Sequence, residues 1–158
     1  MSIRSTINWF QVAVWIVLVE IIGMASALFS GNIRAMYNSL TLPPLSPSGV
    51  VFGIVWPILY LLIGIAGYII WNDRQNNQMN VYLFFGQLLL NFIWTIVFFT
   101  GNMFTIGFIL IAVMDIIVAY LIRRVFPISK VAGWVLVPYL TWLLFATYLA
   151  VGVAMLNH

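Results

Sequence analysis

The chain has no cysteine, a single histidine, three acidic residues and six basic ones among its 158 residues. Without cysteine there is neither a disulfide nor a thiolate to do chemistry. The histidine is His158, the last residue, so no internal imidazole can hold a metal or a haem iron, and no metal site is expected. Charged residues make up 6% of the chain, far below the roughly 25% of an ordinary soluble domain, and too few to clothe a water-facing surface. The formal charge of +3 needs no nucleic acid to explain it, because basic loops at one face of a membrane give the same excess. H-E-x-x-H, Walker and G-x-S-x-G motifs are all missing. There is also no pair of matching halves of the kind many transporters carry.

What the chain does have is apolar residues, at 65% with a mean hydropathy of +1.13. They fall into five runs, about 8–29, 50–71, 81–100, 103–122 and 131–156. At about 1.5 Å per helical residue, each run can cross about 30 Å of hydrocarbon. Lipid admits only helices or closed barrels, and the runs lack the alternation of a barrel strand. The sequence therefore predicts an all-α integral membrane protein: one domain, 1–158, built as a bundle of five transmembrane helices. Arg4, an apolar stretch and Ala25-Ser26-Ala27 also fit a signal peptide, but the run is long for one and carries Glu20, which favours a retained helix.

Arg4, Arg74, Arg123, Arg124 and Lys130 fall on one side of a five-span arrangement and Arg34 on the other, which predicts a cytoplasmic N-terminus and an outside C-terminus in the plasma membrane. The connection 30–48 then lies outside. Pro43, Pro44 and Pro47 stiffen it, so little entropy remains to be lost when it closes as a lid, although prolines also simply end helices. Ser46 and Pro47 read as the N-cap and first turn of the second span.

Polar residues inside spans are costly and therefore informative. Gln87, Asn91 and Trp94 share one face of the third span, Tyr139, Trp142, Ala146 and Ala150 one face of the fifth, and Trp56 and Tyr60 one face of the second. These faces should point inward. The amides fit interhelical glue as well as a binding site. Pro57 and Pro138 interrupt the second and fifth spans, Gly49, Gly53, Gly64 and Gly67 allow close packing, and Asp115 is expected to be hydrogen-bonded within the bundle. Trp9, Trp71 and Trp134 lie near span ends, as interfacial anchors do, whereas Trp56, Trp94 and Trp142 are placed to line a cavity. With no internal histidine, a metal-free macrocycle or another planar apolar molecule suits such a cavity.

Five collinear blocks extend this picture: Arg34 with MYNSLTLPPLSPSG, then VFGIVWPILYLLIGIAGY, QLLLNFIW, Asp115, and VPYLTWLLFATYL. Together they resemble the translocator protein family, also called tryptophan-rich sensory proteins or peripheral-type benzodiazepine receptors (TspO/MBR). The resemblance implies a five-helix bundle, a homodimer through the third span, and a pocket under the first loop for porphyrins and isoquinoline-type ligands. It places Tyr37, Pro43, Trp56, Tyr60, Asn91, Trp94, Trp142 and Ala146 at the pocket, with Gln87 and Asp115 supporting it. Where the family loop commonly reads W-Y-x-x-L-x-K-P-x-W-x-P-P, this chain has Met36, Leu42, Leu45 and Ser48 at the Trp, Lys, second Trp and last Pro. No Lys or Arg follows Tyr148, which argues against the cholesterol motif proposed for animal members.

The expected function is a membrane binding or sensory protein, possessing no required cofactor and taking a protoporphyrin-like tetrapyrrole as ligand, which it transports or regulates. Two alternatives stay open. One is a light-dependent porphyrin-degrading enzyme using Trp56 and Trp142; the other is a structural membrane subunit without a ligand.

Overall fold

The structure, a computed structural model, describes residues 6–100 and 103–157. Among them are six helices: α1 (Trp9–Phe29), α2 (Ile33–Ser39), α3 (Gly49–Asn72), α4 (Gln78–Phe99), α5 (Phe104–Val125) and α6 (Lys130–Leu156). All but α2 are long and apolar enough to span a membrane. The chain is a multi-pass membrane protein with the five spans its apolar runs predict.

The spans close into a ring in which α1 packs on α3, α3 on α6, α6 on α5, α5 on α4, and α4 back on α1. Their facing sides carry the core, from Val19, Ile63 and Phe84 to Met114, Leu136 and Leu143. The outer sides show Val17, Ile58, Leu89, Ile116 and Leu144 to the surroundings, as lipid-facing helices do. Small residues set the closest approach. A Cβ on Gly64 would lie 2.6 Å from the Ile16 Cα, so α1 and α3 meet backbone to backbone. Gly67 is similarly tight against Phe84 and Trp15, whereas Gly53 faces open space. Ala146 and Ala150 are buried inside the protomer, so that stripe serves the bundle itself.

Helix ends depart from the apolar runs where polar residues continue the helix. α4 starts at Gln78 because Asp73 gathers the Asn76 and Asn77 side-chain amides, at 3.2 and 2.6 Å, into a tight α3–α4 turn. α5 runs on to Val125, with Arg123 and Arg124 in its last turn, where cations suit the helix dipole. Arg124 Nε also donates to Asn80 Oδ1 at 2.7 Å. Pro57 and Pro138 lie within α3 and α6, with their rings on the exposed side. Trp9, Trp71 and Trp134 are exposed near span ends, as anchors would be.

The connection 30–48 differs from the plain loop expected. It contains α2, capped by Asn32, whose side chain accepts the Ala35 amide at 3.0 Å. The start of α3 also needs correcting. Its N-cap is Ser48, without a side-chain cap bond, and Ser46 instead donates to the Pro43 carbonyl at 2.7 Å. The Pro47 carbonyl is taken by the Tyr37 hydroxyl at 2.6 Å, which holds the chain extended until Ser48. Arg34 sits at this end of the bundle, and Arg74, Arg123, Arg124 and Lys130 at the other. Arg4 lies outside the described residues.

Candidate functional site

Between α3, α4 and α6, beneath the 30–48 connection, the three non-terminal tryptophans expected at a cavity converge. The Trp56 ring stacks on Tyr60 at 5.5 Å and lies 6.5 Å from both Trp94 and Trp142, edge-on to the latter. Phe52 extends the cluster upward, 5.6 Å from Trp142 and 4.9 Å from Tyr37 on α2. The helical period explains the grouping: Phe52, Trp56 and Tyr60 repeat every four residues along α3, so one face presents three rings, of which Trp56 and Tyr60 stack. The rings pack upon one another, so the slot is closed by its own side chains.

Below the rings runs a directed polar chain. Tyr60 donates to Asn91 Oδ1 at 3.3 Å, Asn91 Nδ2 donates to the Tyr139 hydroxyl at 3.0 Å, and that hydroxyl donates to Gln87 Oε1 at 2.7 Å. Every link crosses between helices, joining α3 to α4 and α4 to α6. The chain ends unfinished, because Gln87 Nε2 is buried with no partner among the described residues. The indole nitrogens of Trp94 and Trp142 are in the same condition. A buried N–H without an acceptor forfeits its bond to water, about 1–3 kcal/mol. Three such donors near one aromatic cluster make a region rich in unused hydrogen-bond donors.

The 30–48 connection is fastened mainly to α6. Asn157 at the end of that helix accepts the Thr41 amide at 2.9 Å and donates to the Thr41 carbonyl at 2.8 Å, a two-bond pairing of side chain with backbone. The Tyr148 hydroxyl donates to the Pro44 carbonyl at 2.6 Å. Buried Pro43 rests on Gly152, where a Cβ would come within 2.5 Å of the proline ring. On the α2 side, burial pushes the Tyr37 hydroxyl above the usual phenol range, with Ser46 opposing. Leu45 adopts φ 69°, a left-handed conformation that a leucine rarely takes, at an exposed point of the connection.

Of the residues expected at a site, Trp56, Tyr60, Asn91, Trp94 and Trp142 form one connected set, and Gln87 joins it through Tyr139. Tyr37 reaches it through Phe52, and Ala146 is buried one turn beyond Trp142. Pro43 is placed against α6 at Gly152. Asp115 bonds within the bundle as expected, its Oδ2 2.6 Å from the Thr147 hydroxyl, but it is not part of the chain of amides, and its Oδ1 has no partner among the described residues. Tyr139, the hub of the polar chain, is visible in the sequence only as one member of a stripe. Its position three residues before Trp142 and seven before Ala146 puts it on the right face, but nothing local names its partners.

A family model described as the TspO/MBR family matches residues 8–156, which is all five spans and the 30–48 connection. The chain belongs to the TspO/MBR family. The TspO/MBR relatives it resembles come from distant organisms. It is 36% identical over 152 residues to the tryptophan-rich protein TspO of Archaeoglobus fulgidus, covering 95% of this chain and 99% of that one. The human translocator protein is 31% identical over 141 residues, covering 85% of this chain and 82% of its own. The tryptophan-rich sensory protein of Cereibacter sphaeroides is 31% identical over 121 residues, covering 77% and 76%. The family shown by the whole chain agrees with the one its five blocks resemble.

Proposed function

We propose that this TspO/MBR protein is a ligand-binding or sensory protein of the plasma membrane, whose slot between α3, α4 and α6 takes a planar tetrapyrrole such as protoporphyrin, or a flat isoquinoline-type molecule. The observation that carries the proposal is the pairing of ring faces with unpartnered donors: Trp56, Trp94 and Trp142 offer aromatic surface, while two of their indole N–H groups lack acceptors. A porphyrin supplies what both need, an extended π-face and peripheral carboxylates. Binding would part the tryptophans, spread them over the macrocycle, and satisfy the indole donors under a lid already fastened to α6. Stacking of this kind contributes about 0.5–1.5 kcal/mol per ring pair beyond the area buried. A homodimer with a cytoplasmic N-terminus completes the proposal.

Titration of the purified protein with protoporphyrin in the dark, read by tryptophan quenching, tests it. Saturable quenching is expected. Quenching that rises linearly without saturating, as with porphyrin dissolved in the micelle alone, would reject the site. The same sample under light separates two functions: stable porphyrin absorbance fits binding, and light-dependent loss faster than in protein-free micelles, and abolished by Trp56→Phe or Trp142→Phe, supports degradation by those residues.

A further inference from the structure

At the end of the bundle away from the lid, a cleft of about 290 Å³ opens between the last turn of α3 and the first of α4, lined by Trp71, Arg74, Gln75, Gln78, Val81 and Tyr82. It is separate from the aromatic slot and shares none of its residues. Its walls divide by chemistry. Arg74, Gln75 and Gln78 are exposed at the α3–α4 turn, where the polar boundary of a bilayer would lie, while Val81, Tyr82 and Trp71 continue into the spans.

Arg74 is held ready rather than spent. Its guanidinium carbon lies 4.7 Å from the Trp71 ring centroid, and one Nη1 hydrogen goes to the Trp71 carbonyl at 2.9 Å. A guanidinium has five N–H donors, so four remain, in a planar fork suited to phosphate oxygens. The nearby acid, Asp73, already receives the amides of Asn76 and Asn77. Tyr82 and Met79 extend outward along α4, 68% and 51% exposed, as an apolar track beside the cleft. A cation at headgroup level, neutral donors beside it and an apolar track running into the membrane together describe a lipid rather than a soluble anion.

We propose that this cleft binds the phosphate headgroup of an anionic phospholipid, with Arg74 and the Gln75 and Gln78 amides on the phosphate and the acyl chains lying along Tyr82 and Val81. Basic pockets between spans on the positively charged side of a membrane protein are suited to such headgroups. Arg123, Arg124 and Lys130 at the same end add a longer-range attraction, but Arg124 is already engaged with Asn80 and none of the three lines the cleft.

Native mass spectrometry of the delipidated full chain, titrated with phosphatidylglycerol and separately with phosphatidylcholine, tests this. The expected result is preferential retention of phosphatidylglycerol, reduced about tenfold or more by Arg74→Gln and only partly kept by Arg74→Lys, since a direct charge-assisted contact outweighs a long-range attraction and lysine keeps the charge without the fork. Arg123→Gln should leave retention nearly unchanged. Arg74 is exposed in a turn, so its variants should fold, and porphyrin-independent thermal melting checks that they do. Equal retention of the two lipids, or equal loss in the Arg74 and Arg123 variants, would overturn the site. Displacement of phosphatidylglycerol by millimolar inorganic phosphate would overturn the lipid assignment.

Discussion

Replacing Tyr139 with phenylalanine removes one oxygen and leaves every carbon in place, at a residue with no exposed surface. It should nevertheless be among the more damaging substitutions in the bundle. The lost hydroxyl donates to Gln87 at 2.7 Å and accepts from Asn91 at 3.0 Å, so both amides lose their partner on α6 at once. Interhelical hydrogen bonds in membranes are worth about 0.6–2 kcal/mol each, so two give about 1–4 kcal/mol, and because no cavity forms there is no packing loss to add. Reversible unfolding in mixed micelles, driven by increasing sodium dodecyl sulfate, measures that difference directly. The second arm is Gln87→Leu, which removes the acceptor together with the unpartnered Nε2, and should cost less than Tyr139→Phe. In the double variant the acceptor that Tyr139→Phe would strand is absent, so the two effects should sum to less than their separate values by about 1 kcal/mol. Strict additivity, or a Tyr139→Phe loss below about 0.5 kcal/mol, would show that the polar chain does not hold α4 to α6.

Trp56→Ala and Trp142→Ala should each weaken porphyrin binding about tenfold or more in a quenching titration, and Trp71→Ala hardly at all; equal effects at all three would move the pocket elsewhere. Gly152→Ala should lift Pro43, because the added carbon would lie 2.5 Å from its ring, and hydrogen exchange across residues 40–48 should speed up; unchanged exchange would mean the lid is not seated on α6. A reporter active only in the cytoplasm, fused after His158, should stay silent, and strong activity would reverse the proposed orientation. Crosslinking in native membranes should trap a dimer, and a yield of monomer alone would remove the homodimer from the proposal.

Much of this architecture is legible in the sequence because lipid is an unforgiving solvent. A span must contain about 20 apolar residues, and a polar side chain within one must face inward, so Gln87, Asn91 and Trp94 could be assigned a face from spacing alone. Ends are less legible. Gln78 and Arg124 lower the local hydropathy without stopping a helix, and the bond from Arg124 back to Asn80 on α4 could not be foreseen. α2 carries a cap signal in Asn32, yet seven residues with mixed propensity give too little periodicity to stand out among prolines. The pairing of Thr41 with Asn157 spans 116 residues and depends on how α6 crosses the ring, which no local pattern encodes. That the tryptophans fill their own slot is likewise a matter of rotamers and neighbours rather than of sequence spacing.

The fastening of Thr41 to Asn157 has a practical side. One residue separates this clasp from the position where an affinity tag or reporter joined after His158 would begin. A bulky fusion there crowds the residue that pins the 30–48 connection, so hydrogen exchange across residues 40–48 should be faster than in the same chain carrying the handle at its N-terminus. The N-terminal handle is the one that leaves the clasp untouched, and equal exchange in the two preparations would show that the clasp tolerates a neighbour.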